Sequence, residues 1–161
     1  QALEGLARGE VQPGQVVVLR GMGVRGGPGM AMASAFVFAL DGAGFGAEVA
    51  VITDGQLSGV VNKGLVVGEI SPEAATGGPL ALVENGDVIS IDVAARTLEL
   101  RVADTEMRAR RERLAAAPRS SERGLLSIYE HVAQPLARGA LMIPKSRATP
   151  TDPEPRREGI R

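Results

Sequence analysis

Two short apolar runs constrain the fold of this chain more than any other feature of its sequence. VVVLR spans residues 16–20 and EVAVITD spans residues 48–54, and both are rich in β-branched residues. Runs of this length and composition predict buried strands. Because aromatic residues make up only 2% of the chain, its core must be built from Val, Ile, Leu, Ala and Met.

The remaining elements are predicted to be short. Apolar spacing and turn residues predict helices at 2–9 and 31–40, a loop at 21–30, a strand at 64–70, and a meander of strands across 80–102. Ser71 and Pro72 predict the start of one or two helical turns, and Asn85-Gly86 predicts a hairpin turn. The order of elements indicates a β-rich mixed α/β domain.

Two helices are predicted in the last third of the chain. Asp104 is expected to cap the first, which would run to Ala117 and end at Pro118, with the basic run at 108–114 on its solvated side. Ser121 is expected to cap the second. Its apolar residues fall on one side at helical spacing: Leu125, Ile128, Tyr129, Val132 and Leu136.

Length and composition predict one domain at residues 1–143. The tail at 144–161 is rich in proline and charge, and we expect it to be disordered or draped over a partner. The chain has 161 residues, enough for a sizeable core. It begins with Gln1 rather than Met, which is compatible with a processed or dissected piece.

Charge and cysteine content exclude several kinds of function. A net charge of −1 gives no reason to expect nucleic acid as a partner, and no apolar run reaches the roughly 18 residues of a membrane span. With no cysteine, this chain forms no disulfide and contributes no thiolate to catalysis, zinc or an iron–sulfur cluster. The same absence favours a cytoplasmic location.

A glycine-rich segment, RGGPGM at residues 25–30, follows the first predicted strand and precedes a predicted helix. Successive backbone N–H groups in such a loop can bind a carboxylate or phosphate, and Arg25 could add a full positive charge. The alternative is a tight turn whose glycines are needed only for packing. The segment matches neither a P-loop nor a dinucleotide-binding fingerprint.

The second strand leads into ITDGQLSG, residues 52–59, which presents the hydroxyl of Ser58 after a tight turn. No base stands beside Ser58 in the sequence, and a serine in such a position is commonly only a turn residue. Asp54 and Asp41 lie at predicted element ends, where aspartate often caps turns.

Taken in order, these motifs closely resemble the C-terminal part of the dihydroxy-acid and sugar-acid dehydratase family, which includes phosphogluconate and aldonate dehydratases. The resemblance covers residues 2–143. It rests on GGPGM, ITDG-x-x-SG, SPEAA-x-GGP-x-ALV-x-x-GD and IDV-x-x-R-x-L in family-like spacing. It implies a swivelling β/β/α domain with a barrel-like core and two C-terminal helices.

The resemblance also implies a function for Ser58. Family members remove water from a 2,3-dihydroxy or sugar acid to give a 2-keto acid, using an iron–sulfur cluster, a magnesium ion and the serine of ITDG-x-x-SG as proposed base. By position the catalytic residue is Ser58, and the substrate-binding residues are Arg25, Gly26, Gly27 and Asp54. The family's cluster cysteines lie in an N-terminal domain, so this chain alone is expected to bind no cofactor and to be inactive.

The chain departs from the family pattern at the expected metal site. The family has a magnesium-binding glutamate where Met22 stands here, and a thioether is a poor ligand for magnesium. Three functions therefore remain open: part or small subunit of a dehydratase with a cysteine-bearing partner, a diverged member with another reaction, or a non-catalytic interaction subunit. We expect the chain to assemble into a homo- or hetero-oligomer, with an N-terminal dehydratase-type domain or subunit and a small hydroxy acid as further partners.

Overall fold

A three-stranded parallel sheet lies at the centre of the computed structural model, which describes residues 1–61, 63–114 and 124–142. Its strands are β1 (Val16–Leu19), β2 (Ala50–Thr53) and β3 (Val66–Val67), in that order. β1 and β2 pair in register from Val16 opposite Ala50 to Leu19 opposite Thr53. The predicted strands are confirmed, although β3 keeps only two residues of the predicted seven.

Two helices pack against one face of this sheet. They are α1 (Ala2–Ala7) and α2 (Ser34–Gly42), and Phe36, Val37 and Leu40 of α2 are buried there beside Val51. α2 starts three residues later than predicted because residues 31–33 run beside the segment that follows β2. There the Gln56 N–H donates to the Ala31 carbonyl at 3.0 Å, and the Ala33 N–H donates to the Gln56 carbonyl at 2.8 Å.

Two short 3-10 turns cover the other face, at Ala74–Thr76 and Pro79–Leu82. Ile52, Ala74 and Leu80 are buried together between these turns and the sheet. The prediction that Ser71 caps a helix is wrong. Glu73 is the residue before the first turn and is extended, because its side chain reaches back to the loop after β1.

An antiparallel hairpin follows, formed by β4 (Ile89–Asp92) and β5 (Thr97–Leu100). The predicted strands are confirmed here, but Asn85-Gly86 is not their connecting turn. The chain reverses at residues 93–96 instead. Asn85 and Gly86 lie in a separate turn before β4, which is closed by the Glu84 N–H donating to Asp87 Oδ2 at 2.8 Å.

Two C-terminal helices are present, as the resemblance implied: α3 (Asp104–Arg113) and α4 (Leu125–Val132). Asp104 is the first residue of α3 rather than its cap, and Ala103 precedes it without a side-chain cap. The apolar stripe of α4 is largely uncovered within the described residues, since Leu125 and Ile128 are exposed. Predictions for Ala117, Pro118, Ser121 and residues 144–161 fall outside the described residues.

The fold is therefore mixed α/β, as predicted, with one parallel and one antiparallel sheet. The described residues form no closed barrel, which corrects the expectation of a barrel-like core. β1 and β3 are the two edges of the parallel sheet, and the hairpin pairs with neither of them. Among the described helices, none has the length and apolar character needed to cross a membrane.

A buried ion cluster fastens α3 to the turn before β4. Arg110 donates to both carboxylate oxygens of Asp87, at 2.6 and 3.0 Å, and to the Leu82 carbonyl at 2.9 Å. The side chains of Arg110 and Asp87 are only 10% and 9% exposed. Arg110 thus contradicts the prediction that the basic run of α3 is a solvated face. Its guanidinium, with the Glu84 N–H, holds the pKa of Asp87 below its usual value.

This pKa shift predicts a loss of stability in acid. Because the folded-state pKa of Asp87 lies below its ordinary value of 3.8, its contribution is complete above that value and disappears as the pH falls through the folded-state pKa. The difference in unfolding free energy between the wild type and Asp87→Asn should therefore be largest near neutral pH and shrink in acid, as measured by urea unfolding at a series of pH values.

Asp92→Asn is the matched control for this experiment. Asp92 is an exposed aspartate that forms no ion pair within the described part of the chain. A wild-type minus Asp87→Asn difference that stays constant from neutral to acid pH would contradict the assignment.

Candidate functional site

The loops that follow β1 and β2 lie side by side at one end of the parallel sheet. The first is the glycine loop, residues 21–30, and the second is the serine turn, residues 54–59. Parallel pairing of β1 and β2 brings their carboxyl ends to one rim. The two loops touch: a Cβ at Gly55 would lie only 2.7 Å from the Cβ of Met22.

Asp54 fastens the two loops together. Its Oδ2 accepts from the Gly21 N–H at 3.1 Å and from the Ala74 N–H at 2.8 Å, while its Oδ1 accepts from the Met22 N–H at 2.9 Å. Asp54 is only 1% exposed. Its carboxylate therefore links the end of β2, the start of the glycine loop and the first 3-10 turn.

Glu73 holds the next part of the glycine loop. Its carboxylate accepts from the Arg25 N–H at 3.0 and 3.1 Å and from the Gly26 N–H at 3.2 Å. Gly23 leaves room for it, because a Cβ at that position would overlap the Glu73 carboxylate. Sequence reasoning did not single out Glu73, because it lies 47 residues from Gly26 along the chain and only the fold brings the two together.

The concavity that the sequence predicted for an anion is thus lined with N–H groups that already have partners. Gly26 donates to Glu73, and the Gly27 N–H donates to the Gly23 carbonyl at 2.9 Å. Backbone N–H groups of the loop do bind a carboxylate, as predicted for such a loop. The carboxylate is the side chain of Glu73 rather than a ligand. Substrate binding by Gly26, Gly27 and Asp54 stays a prediction.

The Arg25 side chain connects the rim to the C-terminal region. Its Nε and Nη2 donate to the carbonyl of Ala133, at 3.1 and 2.8 Å, and Ala133 is fully buried just after α4. Among the described residues Arg25 forms no ion pair, and its Nη1 makes no hydrogen bond. Its cationic group is therefore held in place while its charge is not neutralised by a described carboxylate.

Ser58 is half-exposed at the same rim. Its backbone N–H donates to the hydroxyl of buried Ser34, the first residue of α2, at 2.7 Å. Its own hydroxyl accepts from the Val60 N–H at 3.4 Å, the only hydrogen bond of that hydroxyl in the described residues. The turn is thus anchored through its backbone, and the Ser58 hydroxyl is left available. Ser34 was missed because the helix predicted at 31–40 placed it inside the helix rather than at its start.

Met22, at the position of the family's glutamate, is partly buried and packs against the core cluster of α1, α2 and the sheet. Within the described residues no three acidic or histidine side chains gather into a group able to hold a metal ion. The oxygens of Asp54 and Glu73 already accept backbone N–H groups, and the chain has no cysteine. The donor atoms of the described residues therefore do not fit a magnesium or iron–sulfur site.

Comparison with known proteins gives the family of the chain. Residues 1–140 match the family model described as Dihydroxy-acid/6-phosphogluconate dehydratase C-terminal. The dihydroxy-acid dehydratase of Syntrophotalea carbinolica is 46% identical over 141 residues, 88% of this chain and 25% of that protein. Those of Chloroflexus aggregans and Pyrobaculum neutrophilum are 45% and 42% identical, over 88% and 89% of this chain and 25% and 26% of theirs.

These matches show that the chain belongs to the dihydroxy-acid/6-phosphogluconate dehydratase family and corresponds to its C-terminal domain. The resemblance stated from the sequence is thereby confirmed. The chain spans about a quarter of the length of the curated relatives that it matches.

The three hydrogen bonds that Asp54 accepts predict that its replacement by asparagine lowers the stability of the fold. In Asp54→Asn the amide group can no longer accept all three N–H groups, and a buried donor left without an acceptor costs about 1–3 kcal/mol. We expect the free energy of unfolding, measured by urea denaturation, to fall by about that amount.

Asp41→Asn is the control, because Asp41 is partly exposed and its salt bridge with Lys63, at 3.1 Å, lies at the surface. Such a pair contributes about 0–1 kcal/mol. Equal stability of the two variants would show that Asp54 does not fasten the rim.

Proposed function

We propose that this chain is the C-terminal part of a dehydratase that converts a 2,3-dihydroxy or sugar acid into a 2-keto acid by loss of water. The observation that carries the proposal is the state of Ser58 in a chain of this family: its backbone is fixed by Ser34, and the residue is partly exposed at the rim with one weak hydrogen bond to its hydroxyl. A fixed backbone with an available hydroxyl is what a proton-transfer residue needs.

In this proposal the Ser58 oxygen removes the proton from C2 of the substrate. The C3–O bond breaks as this proton passes from Ser58 to the departing hydroxide, which leaves as water. The resulting enol then gains a proton at C3 and loses the proton of its C2 hydroxyl, which gives the 2-keto acid. A serine hydroxyl is a very weak acid, so its ionisation requires strong positive charge nearby. We assign that charge to the part of the enzyme outside this chain.

An iron–sulfur cluster and a magnesium ion are implied by the resemblance. Because the donor atoms of the described residues fit neither group, we infer that their ligands belong to an N-terminal domain or subunit that carries cysteines. The name dihydroxy-acid dehydratase, borne by the matched relatives, supports a small hydroxy acid as the substrate. The isolated chain is then inactive.

Arg25 is the residue that we propose to bind the substrate carboxylate. Its guanidinium lies at the rim, its position is fixed by the Ala133 carbonyl, and no described carboxylate neutralises it. Gly26, Gly27 and Asp54 support binding by holding the glycine loop that carries Arg25. This assignment keeps the predicted substrate-binding set and gives its members different tasks.

The partner proposed for this domain is the remainder of a dehydratase, within an assembly of several subunits in the cytoplasm. The exposed Leu125 and Ile128 of α4 support burial of apolar surface against such a partner. A swivelling attachment of the domain to that partner is part of the same proposal. Neither nucleic acid nor a membrane is proposed as a partner.

A diverged reaction is the second candidate, and one observation favours it. The resemblance implies a glutamate at position 22, and Met22 instead packs against the apolar core. The difference therefore alters both the packing of the glycine loop and the ligand atoms that it offers. In that case the fold and Ser58 are retained while metal binding, and with it the reaction, differs.

The role of Ser58 can be tested in a chimera in which residues 1–140 replace the matched C-terminal segment of the Syntrophotalea carbinolica dehydratase. We expect Ser58→Ala to lower kcat by about 10² to 10⁴, as the loss of a proton-transfer group commonly does, with little change in KM. Keto-acid formation measures the rate. Ser90→Ala, in the hairpin, is the matched control, and unchanged turnover in Ser58→Ala would disprove the assignment.

Met22→Glu in the same chimera separates the two candidates. If the position is the vacated ligand site, the new carboxylate should lower the magnesium concentration needed for half-maximal activity, since magnesium prefers oxygen ligands. Met22→Gln has nearly the same size without the charge and controls for altered packing. An identical magnesium dependence in all three proteins would mean that residue 22 does not face the metal.

A further inference from the structure

A cleft of about 1130 Å³ runs along β1. Every residue of β1 lines it, and its walls come from the start of α1, the start of α2 and residues 83–89. Large apolar side chains at the cleft are exposed: Leu3 (49%), Met32 (56%) and Val88 (64%). Apolar side chains gathered in this way are usually covered by another segment or partner.

The cleft also contains an unpaired strand edge. β1 pairs only with β2, and the Gln15 carbonyl accepts from the Ala50 N–H at 3.0 Å, so the backbone groups of Gln15, Val17 and Leu19 face β2. Since backbone groups alternate in direction along a strand, those of Val16 and Val18 point to the other edge. No hydrogen bond is recorded for them in the part of the chain that the structure describes.

β1 lacks the features that normally protect an edge strand. Its sequence, VVVL, contains no charge and no proline, and the strand is too regular to contain a bulge. Both of its faces are apolar, because Val17 and Leu19 pack toward α1 and α2 while Val16 and Val18 pack toward the 3-10 turns. A strand with this pattern is typical of the interior of a sheet, with a neighbour on each side.

We propose that the free edge of β1 receives one further β-strand, supplied by the part of the dehydratase outside this chain. The inference rests on the proposed function, in which a larger polypeptide accompanies this domain. A strand is the matching occupant because it pairs the outward N–H and C=O groups of Val16 and Val18 while its side chains fill the apolar cleft.

The length of the relatives and the position of Gln1 favour this occupant. The matched relatives are about four times as long as the region they share with this chain, and Gln1 itself lines the cleft. Because the matched family region is C-terminal, the rest of such a polypeptide would be joined at Gln1 and would start within the cleft. A second copy of the chain, or residues 143–161, are the competing occupants that the experiment must separate.

Amide hydrogen exchange tests the proposal, comparing the 161-residue chain with the chimera described above. In the isolated chain, Val16 and Val18 should exchange faster than Val17 and Leu19, whose N–H groups face β2. In the chimera, we expect exchange at Val16 and Val18 to slow by about tenfold or more, because a paired amide exchanges only when its strand opens.

Val18→Pro is the variant that isolates the edge. Proline at this position removes only an outward N–H, which edge positions tolerate, so the β1–β2 pairing should persist. In the chimera it should restore fast exchange at Val16 while Val17 stays slow. Should the substitution unfold β1, Val88→Lys supplies an alternative that places a charge at an exposed position of the cleft and leaves β1 itself unchanged.

Three results would overturn the proposal. The first is exchange at Val16 and Val18 that is as fast in the folded chimera as in the isolated chain. The second is slow exchange in an isolated chain that sediments as a dimer, which would assign the edge to a second copy. The third is slow exchange in an isolated monomer that becomes fast when residues 143–161 are removed. The amide exchange measurement does not require the chimera to be active. An inactive chimera in which the amides of Val16 and Val18 are protected would therefore contradict the proposed function and leave the strand proposal intact.

Discussion

Two carboxylates hold the glycine loop, and the shape of the candidate site depends on them. Asp54 binds the N–H groups at its start, and Glu73 binds those at its centre. A segment rich in glycine buries little apolar surface and loses much conformational freedom when it becomes ordered. Charge-assisted hydrogen bonds to successive N–H groups are among the strongest contacts available to such a loop.

These contacts also decide how the rim can meet a substrate. A loop whose N–H groups already bind internal carboxylates has less capacity for an external anion, and an added carboxylate would meet Glu73 as a like charge. In the proposed function, recognition of an acidic substrate would then depend on side chains, and Arg25 is the cation that the loop holds in position. Asp54 and Glu73 in this view determine where Arg25 lies rather than what it binds.

Local patterns in the sequence predicted the elements well and their connections less well. The runs at 16–20 and 48–54 became parallel neighbours because short β-branched segments have few alternatives to a buried strand. The helix start predicted at Ser71 and the hairpin turn predicted at Asn85-Gly86 were wrong, because contacts of Glu73 and Asp87 determine the backbone there. Arg110 looked like a surface residue, since the sequence does not reveal that Asp87 would come to lie beside it.

The unpaired edge and the candidate site lie on the same strand. β1 enters the glycine loop directly at residue 21, where Asp54 binds the first N–H group. A strand docked against Val16 and Val18 would therefore fix, within a few residues, the position of Met22 and Arg25 relative to the polypeptide that supplies it. Because the described residues make no metal site, the proposed catalysis would require such a fixed relation between Ser58 and a site built elsewhere. Backbone hydrogen bonds along β1 would provide this fixed relation. Such bonds do not depend on the identity of the side chains in either partner.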